Sequence, residues 1–218
     1  MNSLESSTPN CEEHVQAHAL IGEHQDLDIA RQTALSRLQA SFRGKRDRET
    51  HVSRAKLGKP VCPFLRTPSN AVAAMIDMAG IATDDVVWDL GCGDGAISLE
   101  VAKAGARCVG YDIDLVHLST ARKRASECPA EINSLLEYSS DDIFELDFSR
   151  ASVLMMFLVP NMLEPLSVKF DNMPAGTRLI SYHYPLPAAK WTPVRVEQAD
   201  HPHHAPPQTT GVYSYVIT

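Results

Sequence analysis

The sequence predicts an α/β fold in which helices cover both faces of a mostly parallel, seven-stranded sheet. The first observation behind this prediction is that apolar segments with strand character alternate with helical segments from Thr67 onward. The second is that the last two strand segments, Val194–Gln198 and Gly211–Ile217, have only a loop between them. A loop connection of this kind predicts a hairpin, so the last strand should run antiparallel to the others.

Each remaining element follows from its own stretch of sequence. Helical spacing predicts helices at Ser69–Met78, Ala96–Ala104, Leu115–Ser126 and Pro160–Phe170. Apolar runs predict strands at Val86–Leu90, Arg107–Tyr111, Ser134–Tyr138, Ser152–Leu158 and Thr177–His183. The longest apolar run, around Val153–Val159, is far shorter than the roughly 18 residues of a membrane-spanning helix, so no membrane anchor is expected.

Composition divides the chain into an extension over residues 1–59 and a main domain over residues 60–218. Residues 12–42 carry loosely helical apolar spacing among many polar residues, so the extension is expected to be helical or disordered. The first thirty residues hold six acids and no lysine or arginine, whereas secretory and mitochondrial presequences are basic. Five widely spaced cysteines indicate no disulfide framework. A cytoplasmic protein is therefore expected, and no presequence indicates a mitochondrial address.

Two kinds of binding are not indicated. The formal net charge of −7 disfavours binding to nucleic acid, which needs a concentrated basic surface. His201, His203 and His204 have the spacing of potential metal ligands, but no fourth ligand is evident, so no metal site is expected. No sequence pattern indicates an oligomeric state.

The chemistry is carried by Val86–Gly95, where an apolar strand runs into a loop containing Gly91, Gly93 and Gly95. Glycines let the backbone turn sharply and approach a ligand closely, and the helix that follows offers free N–H groups. The spacing is G-x-G-x-G, which differs from the G-x-G-x-x-G of dinucleotide folds. Asp89 stands two residues before the first glycine. An acid at this place suits a ligand with an ammonium group, and S-adenosylmethionine has one.

Two further acids follow the next two strands. Asp112 ends the second strand, where it can accept hydrogen bonds from both ribose hydroxyls. Asp142 follows the third strand and can accept from the adenine amino group, while Ile143 can pack on the ring. Any one of these acids alone could be an ordinary turn residue. Their occurrence at three successive strand ends favours a cofactor site.

Several segments of the sequence resemble those of a known family. Trp88–Gly95 with Asp112 resembles the first motif and the following acidic position of Rossmann-like class I S-adenosylmethionine-dependent methyltransferases. Pro63–Pro68 resembles the P-[FY]-V-x-[TS]-P segment of a small family of protein-lysine methyltransferases. Later segments that match the same family are Asp142–Glu145, Phe157–Asn161 and Arg178–His183. The resemblance covers residues 60–187.

That family includes archaeal enzymes of broad specificity. It also includes mitochondrial enzymes that act on the ATP synthase c-subunit and the adenine nucleotide translocase. The resemblance implies S-adenosyl-L-methionine as cofactor, a role for Thr67 in the cofactor site, and a protein substrate with an accessible lysine. This chain lacks the apolar N-terminal anchor of the mitochondrial members, so their two substrates are not expected here.

The acceptor site is expected at the loop after the fourth strand. Methyl transfer from a sulfonium chiefly needs alignment, so no catalytic triad is expected. Phe157 and Pro160 would form the walls of a desolvated channel that lowers the pKa of the acceptor lysine. The Asn161 side chain or nearby carbonyls would orient the amine, and Tyr182 and His183 would face the same crevice. The alternatives are methylation of a small metabolite and a cofactor-binding subunit without its own activity.

Overall fold

The computed structural model describes residues 62–200 and 208–218, which contain one seven-stranded sheet. The strands are β1 (Val86–Leu90), β2 (Arg107–Tyr111), β3 (Leu136–Ser139), β4 (Val153–Met156), β5 (Arg178–Tyr182), β6 (Arg195–Asp200) and β7 (Thr209–Val216). The α-helices are α1 (Ser69–Ala79), α2 (Ala96–Lys103), α3 (Leu115–Ser126), α4 (Ala130–Asn133) and α5 (Pro160–Ser167). Single 3₁₀ turns occur at Phe148–Arg150 and Lys169–Asn172.

The order of the strands is β3-β2-β1-β4-β5-β7-β6. The strands from β1 to β5 pair in parallel, whereas β7 is antiparallel to both β5 and β6. The predicted fold class, the terminal hairpin and the antiparallel last strand are therefore confirmed. The carboxyl ends of β1, β2 and β4 meet at one edge, where the strand order changes direction, and ligands bind there in open α/β sheets.

The central strand β4 shows why the sheet is buried on both faces. All of its residues are fully buried. Leu154 and Met156 pack into an apolar cluster that includes residues of α5, while Val153 and Met155 pack into a second cluster that includes residues of α1 and α2. Because side chains alternate along a strand, a strand covered by helices on both faces needs an apolar residue at every position.

A buried carboxylate ties the opposite edge of the sheet together. Asp85 precedes β1 and accepts hydrogen bonds from the Ser152 hydroxyl at 2.7 Å and the Ala82 backbone N–H at 2.8 Å. Arg178, the first residue of β5, forms an ion pair with Asp85 and donates to the carbonyl of Gly80 at 2.9 Å. One acid thus links β1, β4, β5 and the end of α1.

The prediction for the third strand was wrong in its limits. The strand comprises Leu136–Ser139 rather than Ser134–Tyr138. The short helix α4 occupies the preceding residues and ends on Ser134, whose hydroxyl donates to the carbonyl of Glu131 at 2.8 Å. The strand can begin only after this helical turn is complete.

The fourth strand and the helix after it are also shorter than predicted. The strand comprises Val153–Met156 rather than Ser152–Leu158, and the helix predicted at Pro160–Phe170 ends as an α-helix at Ser167. The Ser167 hydroxyl donates to the carbonyl of Glu164 at 2.7 Å. Hydroxyls that bond back to the helix backbone in this way disfavour its continuation, and a 3₁₀ turn follows.

Some predictions fall outside the described residues. These are the extension over residues 1–59, its boundary with the main domain, and the histidines at positions 201, 203 and 204. Within residues 62–200 and 208–218, no helix is long and apolar enough to cross a membrane. In the same ranges, no three or more His, Cys, Asp or Glu side chains are grouped so that they could hold a metal ion.

Candidate active site

The loop after β1 folds against the end of β2. The backbone N–H groups of Gly91 and Cys92 both donate to the carbonyl of Tyr111, at 2.8 and 2.9 Å. Gly91, Gly93 and Gly95 have φ values of 75°, 54° and 75°. Residues with a Cβ rarely adopt this left-handed region, so the turn depends on glycine at alternate positions. Helix α2 begins directly after Gly95.

All three glycines lie close against protein side chains. A Cβ on Gly93 would lie 2.3 Å from the ring of Phe64, and a Cβ on Gly95 would lie 2.6 Å from the Tyr138 hydroxyl. Gly91 is exposed, and a Cβ there would meet the Leu158 side chain at 2.9 Å. The glycine loop therefore borders the loop that follows β4, where the acceptor is expected.

Asp89, the predicted ammonium ligand, lies in β1 and is almost completely buried. Its Oδ2 accepts from the hydroxyl of Ser98 at 2.6 Å and from the backbone N–H of the same residue at 3.1 Å. Burial raises the pKa of Asp89 to about 7, although the two bonds from Ser98 act against this rise. A cationic partner beside this buried carboxyl group would stabilise its ionised form and lower its pKa.

Asp112 lies directly after β2 and is tied to the glycine loop. Its Oδ2 accepts from the backbone N–H of Gly93 at 2.9 Å, and its Oδ1 accepts from that of Asp114 at 2.8 Å. Burial raises the pKa of Asp112, while these N–H groups and the nearby His117 act in the opposite direction. Each carboxylate oxygen has a second lone pair, so ribose hydroxyls can still donate to this acid.

The third predicted acid has a local role. Oδ1 of Asp142 accepts from the backbone N–H of Phe144 at 3.1 Å, which is the geometry of an acid that closes its own turn. Ile143 is buried in the apolar cluster that contains Trp88 and Tyr111. Contacts of Asp142 and Ile143 with adenine stay predictions.

Residues 62–67, called the entry segment here, lie against the glycine loop. The ring of Phe64 packs on Gly93, and its centroid is 4.3 Å from that of the His117 ring on α3. Thr67, which was predicted to bind the cofactor, is buried at the end of this segment. The segment that resembles the lysine methyltransferase family is thus placed beside the predicted cofactor loop.

The loop after β4 and the start of α5 hold three of the residues predicted for the acceptor site. Phe157 is half-buried, and its ring centroid is 4.7 Å from that of Tyr182. Pro160 and Asn161 are exposed at the first two positions of α5, after the N-cap residue Val159. Asn161 is therefore not the N-cap of this helix, and a role in orienting an amine stays a prediction.

His183 has an unusual backbone conformation at the end of β5. Its φ of 71° is positive, which no other non-glycine residue shows in the described part of the chain. The N–H of Tyr184 donates to the carbonyl of Tyr182 at 2.9 Å and closes a tight turn around it. Nδ1 of His183 lies 2.9 Å from the Thr210 hydroxyl oxygen. Backbone strain of about 1–3 kcal/mol of this kind clusters at functional sites, and the place of His183 in the acceptor crevice stays a prediction.

Comparison with known proteins decides the family. A model of the ANTKMT methyltransferase domain matches residues 89–195. A protein-lysine N-methyltransferase from Saccharolobus islandicus (strain REY15A) is 33% identical over 167 residues, which cover 72% of this chain and 95% of that protein. The chain belongs to this family of S-adenosylmethionine-dependent methyltransferases.

The chain is also similar to a second lysine methyltransferase and to a solved methyltransferase structure. The ATP synthase c-subunit lysine N-methyltransferase of Mus musculus is 30% identical over 138 residues, which cover 63% of this chain and 54% of the mouse protein. The crystal structure of an RNA methyltransferase from Salinibacter ruber in complex with S-adenosyl-L-homocysteine is 32% identical. The superposition covers 70% of this chain and 94% of the Salinibacter ruber chain, with a TM-score of 0.60. The predicted family and the predicted cofactor, S-adenosyl-L-methionine, are confirmed.

The site of the methyltransferase fits that cofactor chemically. Asp89 pairs in register with Gly110 of β2, and Asp112 follows the same strand, so two acids stand on neighbouring strands. An ammonium group at Asp89 and ribose hydroxyls at Asp112 would give both acids the partners that such polar groups need. The assignment of the individual residues to parts of the cofactor stays a prediction.

Sequence reasoning missed an ion-pair cluster in this methyltransferase. Asp94, inside the glycine loop, accepts from Nε of Arg66 at 2.9 Å and lies 3.1 Å from Nη1 of Arg124. The three residues come from the entry segment, the loop and α3. Partners that lie 28 and 30 residues from Asp94 follow no helical or strand spacing, so no local pattern in the sequence indicates them.

Proposed function

We propose that this methyltransferase transfers the methyl group to the side-chain amine of lysine in a protein. The observation that carries this proposal is the match to the archaeal protein-lysine N-methyltransferase over 95% of its length. The mouse relative, from a distant organism, also modifies lysine in a protein. The names of the two enzymes share lysine as the acceptor group, which supports lysine more strongly than any particular target protein.

The chemistry needs little from the protein beyond positioning. S-adenosylmethionine supplies a methyl group that its positively charged sulfur has already activated. The chain must hold the acceptor amine in line, about 3 Å from that methyl group. A Cβ built on Gly91 would lie 2.9 Å from the Leu158 side chain, so the loop after β4 lies beside the cofactor loop, which supports placing the acceptor channel there. In this channel Phe157 and Pro160 would form walls, and the amide oxygen of Asn161 would accept a hydrogen bond from the amine.

The acceptor amine has to arrive without its proton, because only the neutral amine has a lone pair to donate. Aromatic surroundings lower the pKa of a lysine by removing water from the charged form. Phe157, His183 and Tyr184 are half-buried at the ends of β4 and β5, with the rings of Phe157 and His183 6.0 Å apart and those of His183 and Tyr184 4.2 Å apart. These rings support a desolvated place for the amine.

One observation favours a second candidate. The solved relative from Salinibacter ruber is an RNA methyltransferase, so RNA is the alternative acceptor. The net charge of −7 weighs against it, because RNA binding depends on neutralising many phosphates. We therefore rank a protein substrate first and expect no nucleic-acid partner.

Label transfer separates the candidates. The purified chain is incubated with methyl-labelled S-adenosylmethionine and a lysate from cells that lack it, and the products are fractionated into protein, RNA and small molecules. Label in protein is expected, and digestion with protease should release it. Label confined to RNA or to a metabolite would refute the proposal while leaving the cofactor unaffected. Cofactor binding without any transfer would instead indicate a subunit without its own activity.

We also propose a cytoplasmic location. The four cysteines in the described part of the chain are all free thiols, as is usual in a reducing compartment. Microscopy of the tagged full chain tests this proposal, and a signal that coincides with a mitochondrial marker would contradict it.

A further inference from the structure

The glycine loop contains a buried carboxylate that takes no part in the cofactor site as described above. Asp94 is 7% exposed and is held by two guanidinium groups. Nε of Arg66 donates to its Oδ2 at 2.9 Å, and Nη1 of Arg124 lies 3.1 Å from its Oδ1. The same Nη1 donates to the Asp94 carbonyl at 2.9 Å. One loop residue is therefore fixed from two different elements.

The two arginines differ in how firmly they are held. Arg124 belongs to α3 and its side chain is 32% exposed, so it fixes Asp94 to the body of the domain. Arg66 belongs to the entry segment, which has no regular secondary structure, and its side chain is 64% exposed. An ion pair with so much exposure is weak and sensitive to salt, so it can open during turnover.

The entry segment stands over the cofactor loop. The ring of Phe64 covers Gly93, and the N–H of Gly93 donates to Asp112, the acid expected to bind the ribose. The Phe64 ring also packs against His117 of α3. A ligand bound beside Gly93 and Asp112 would therefore lie next to this segment.

We propose that Arg66 is a positioning residue, which holds the entry segment over the cofactor loop and so slows the release of S-adenosyl-L-homocysteine. Arg66 touches neither cofactor nor acceptor in this scheme, and acts through Asp94 and Phe64. The proposal concerns the product of the cofactor and does not depend on which acceptor is methylated.

The test compares Arg66→Ala with Arg107→Ala in the full chain. Arg107 is a matched control, because its side chain is also 64% exposed and pairs with Glu137 at 3.6 Å, away from the cofactor loop. The dissociation rate of radiolabelled S-adenosyl-L-homocysteine is measured by chase with unlabelled compound, together with its association rate and the melting temperature. Arg66→Ala should release the compound roughly three to five times faster, with an association rate that rises no more than the release rate and an unchanged melting temperature. Arg107→Ala should behave like the wild type.

Two further measurements separate positioning from a general structural effect. Arg66→Lys keeps the charge and should restore part of the slow release. High salt should speed release from the wild type and change that of Arg66→Ala much less, because the screened ion pair is already absent. Equal release rates in wild type and Arg66→Ala would overturn the proposal. So would faster association with tighter binding in Arg66→Ala, since the segment would then occupy the place of the cofactor.

Discussion

At the scale of single residues, Asp89 should couple cofactor affinity to pH. Burial raises its pKa to about 7, and an ammonium partner favours the carboxylate, so binding below that pH must displace a proton. Affinity for S-adenosylmethionine is expected to rise from about pH 5.5 to about pH 7.5 and to fall above pH ~8, where the α-amino group of the cofactor loses its proton. In the free protein the same shift makes stability fall as pH rises from 3.8 to about 7, because the folded state binds more protons there.

Titration calorimetry in buffers of different ionisation enthalpy measures the number of protons released when S-adenosylmethionine binds. Release near pH 6 is expected for the wild type and should disappear in Asp89→Asn, which has no titrating group at this place. Binding without proton release in the wild type would show that Asp89 does not meet a cation.

Asp112 should contribute to cofactor affinity in addition to holding the glycine loop through the N–H of Gly93. Asp112→Asn removes a charged acceptor of ribose hydroxyls, which should weaken cofactor binding by about 1.5–3 kcal/mol, roughly tenfold to a hundredfold. Asp171→Asn is the control, because Asp171 is exposed and pairs with Lys190 outside the site. Titration with S-adenosylmethionine checks both variants. Equal affinity in Asp112→Asn and the control would remove Asp112 from the site.

Gly93 should resist substitution for two separable reasons. Its φ of 54° costs about 1–2 kcal/mol for a residue with a Cβ, and that Cβ would also strike the ring of Phe64. Gly93→Ala should therefore lower the free energy of unfolding, and adding Phe64→Ala should restore only the part due to the clash. Denaturant melts of the single and double variants measure the two parts. Additive losses would mean that the ring and the Cβ do not meet.

At the scale of elements, the sequence predicts well where a local pattern exists. The limits of β1, β2 and α3 agree with the prediction to the residue. The start of α3 has its own local signal, since Asp114 is the N-cap and accepts from the N–H of Val116 at 2.7 Å. Helix α4 was missed because four residues are too few to show a helical period. The cluster around Asp94 was missed because it depends on contacts between distant elements.

Asp85, like Asp94, depends on contacts between distant elements, because it joins three strands and the end of α1. Asp85→Ala would leave Arg178, whose side chain is 25% exposed, without its acid. It would also leave the Ser152 hydroxyl and the Ala82 N–H without their acceptor. We expect a loss of about 2–4 kcal/mol in the free energy of unfolding. Asp171→Ala removes an exposed pair and should change it by less than about 1 kcal/mol.

Denaturant unfolding measures both losses, and the affinity for S-adenosylmethionine provides the control. Asp85 lies at the edge of the sheet opposite the cofactor site, so affinity well below the melting temperature should not change. A stable Asp85→Ala variant with impaired cofactor binding would contradict a purely structural role.

At the scale of the whole molecule, the cofactor half of the site was easier to predict than the acceptor half. Three glycines and the acids near them lie within a short stretch of chain, and the order of the strands alone brings Asp89 and Asp112 to one edge. The acceptor half depends on side-chain packing, and the strained turn at His183 has no cue in the residue types around it. The place of Asn161 after the N-cap Val159 likewise emerges only from the folded backbone.

Removal of residues 1–42 should leave the cofactor site intact. All residues assigned to that site lie between Thr67 and Ile143, and the sequence before residue 43 has a low density of apolar residues. Titration of the shortened chain with S-adenosylmethionine, alongside circular dichroism, checks this expectation. A truncated chain that is folded but fails to bind would show that the extension contributes to the site.

Residue-level identification of the methylated group tests the central claim most directly. Protein that has been labelled by the purified chain is digested, and tandem mass spectrometry locates the added methyl group. The account predicts methyl groups on lysine Nζ, and it predicts that Asp112→Asn reduces them when S-adenosylmethionine is limiting, because the cofactor is held more weakly. Methyl groups found only on arginine or on carboxylates, or label found only outside protein, would contradict it.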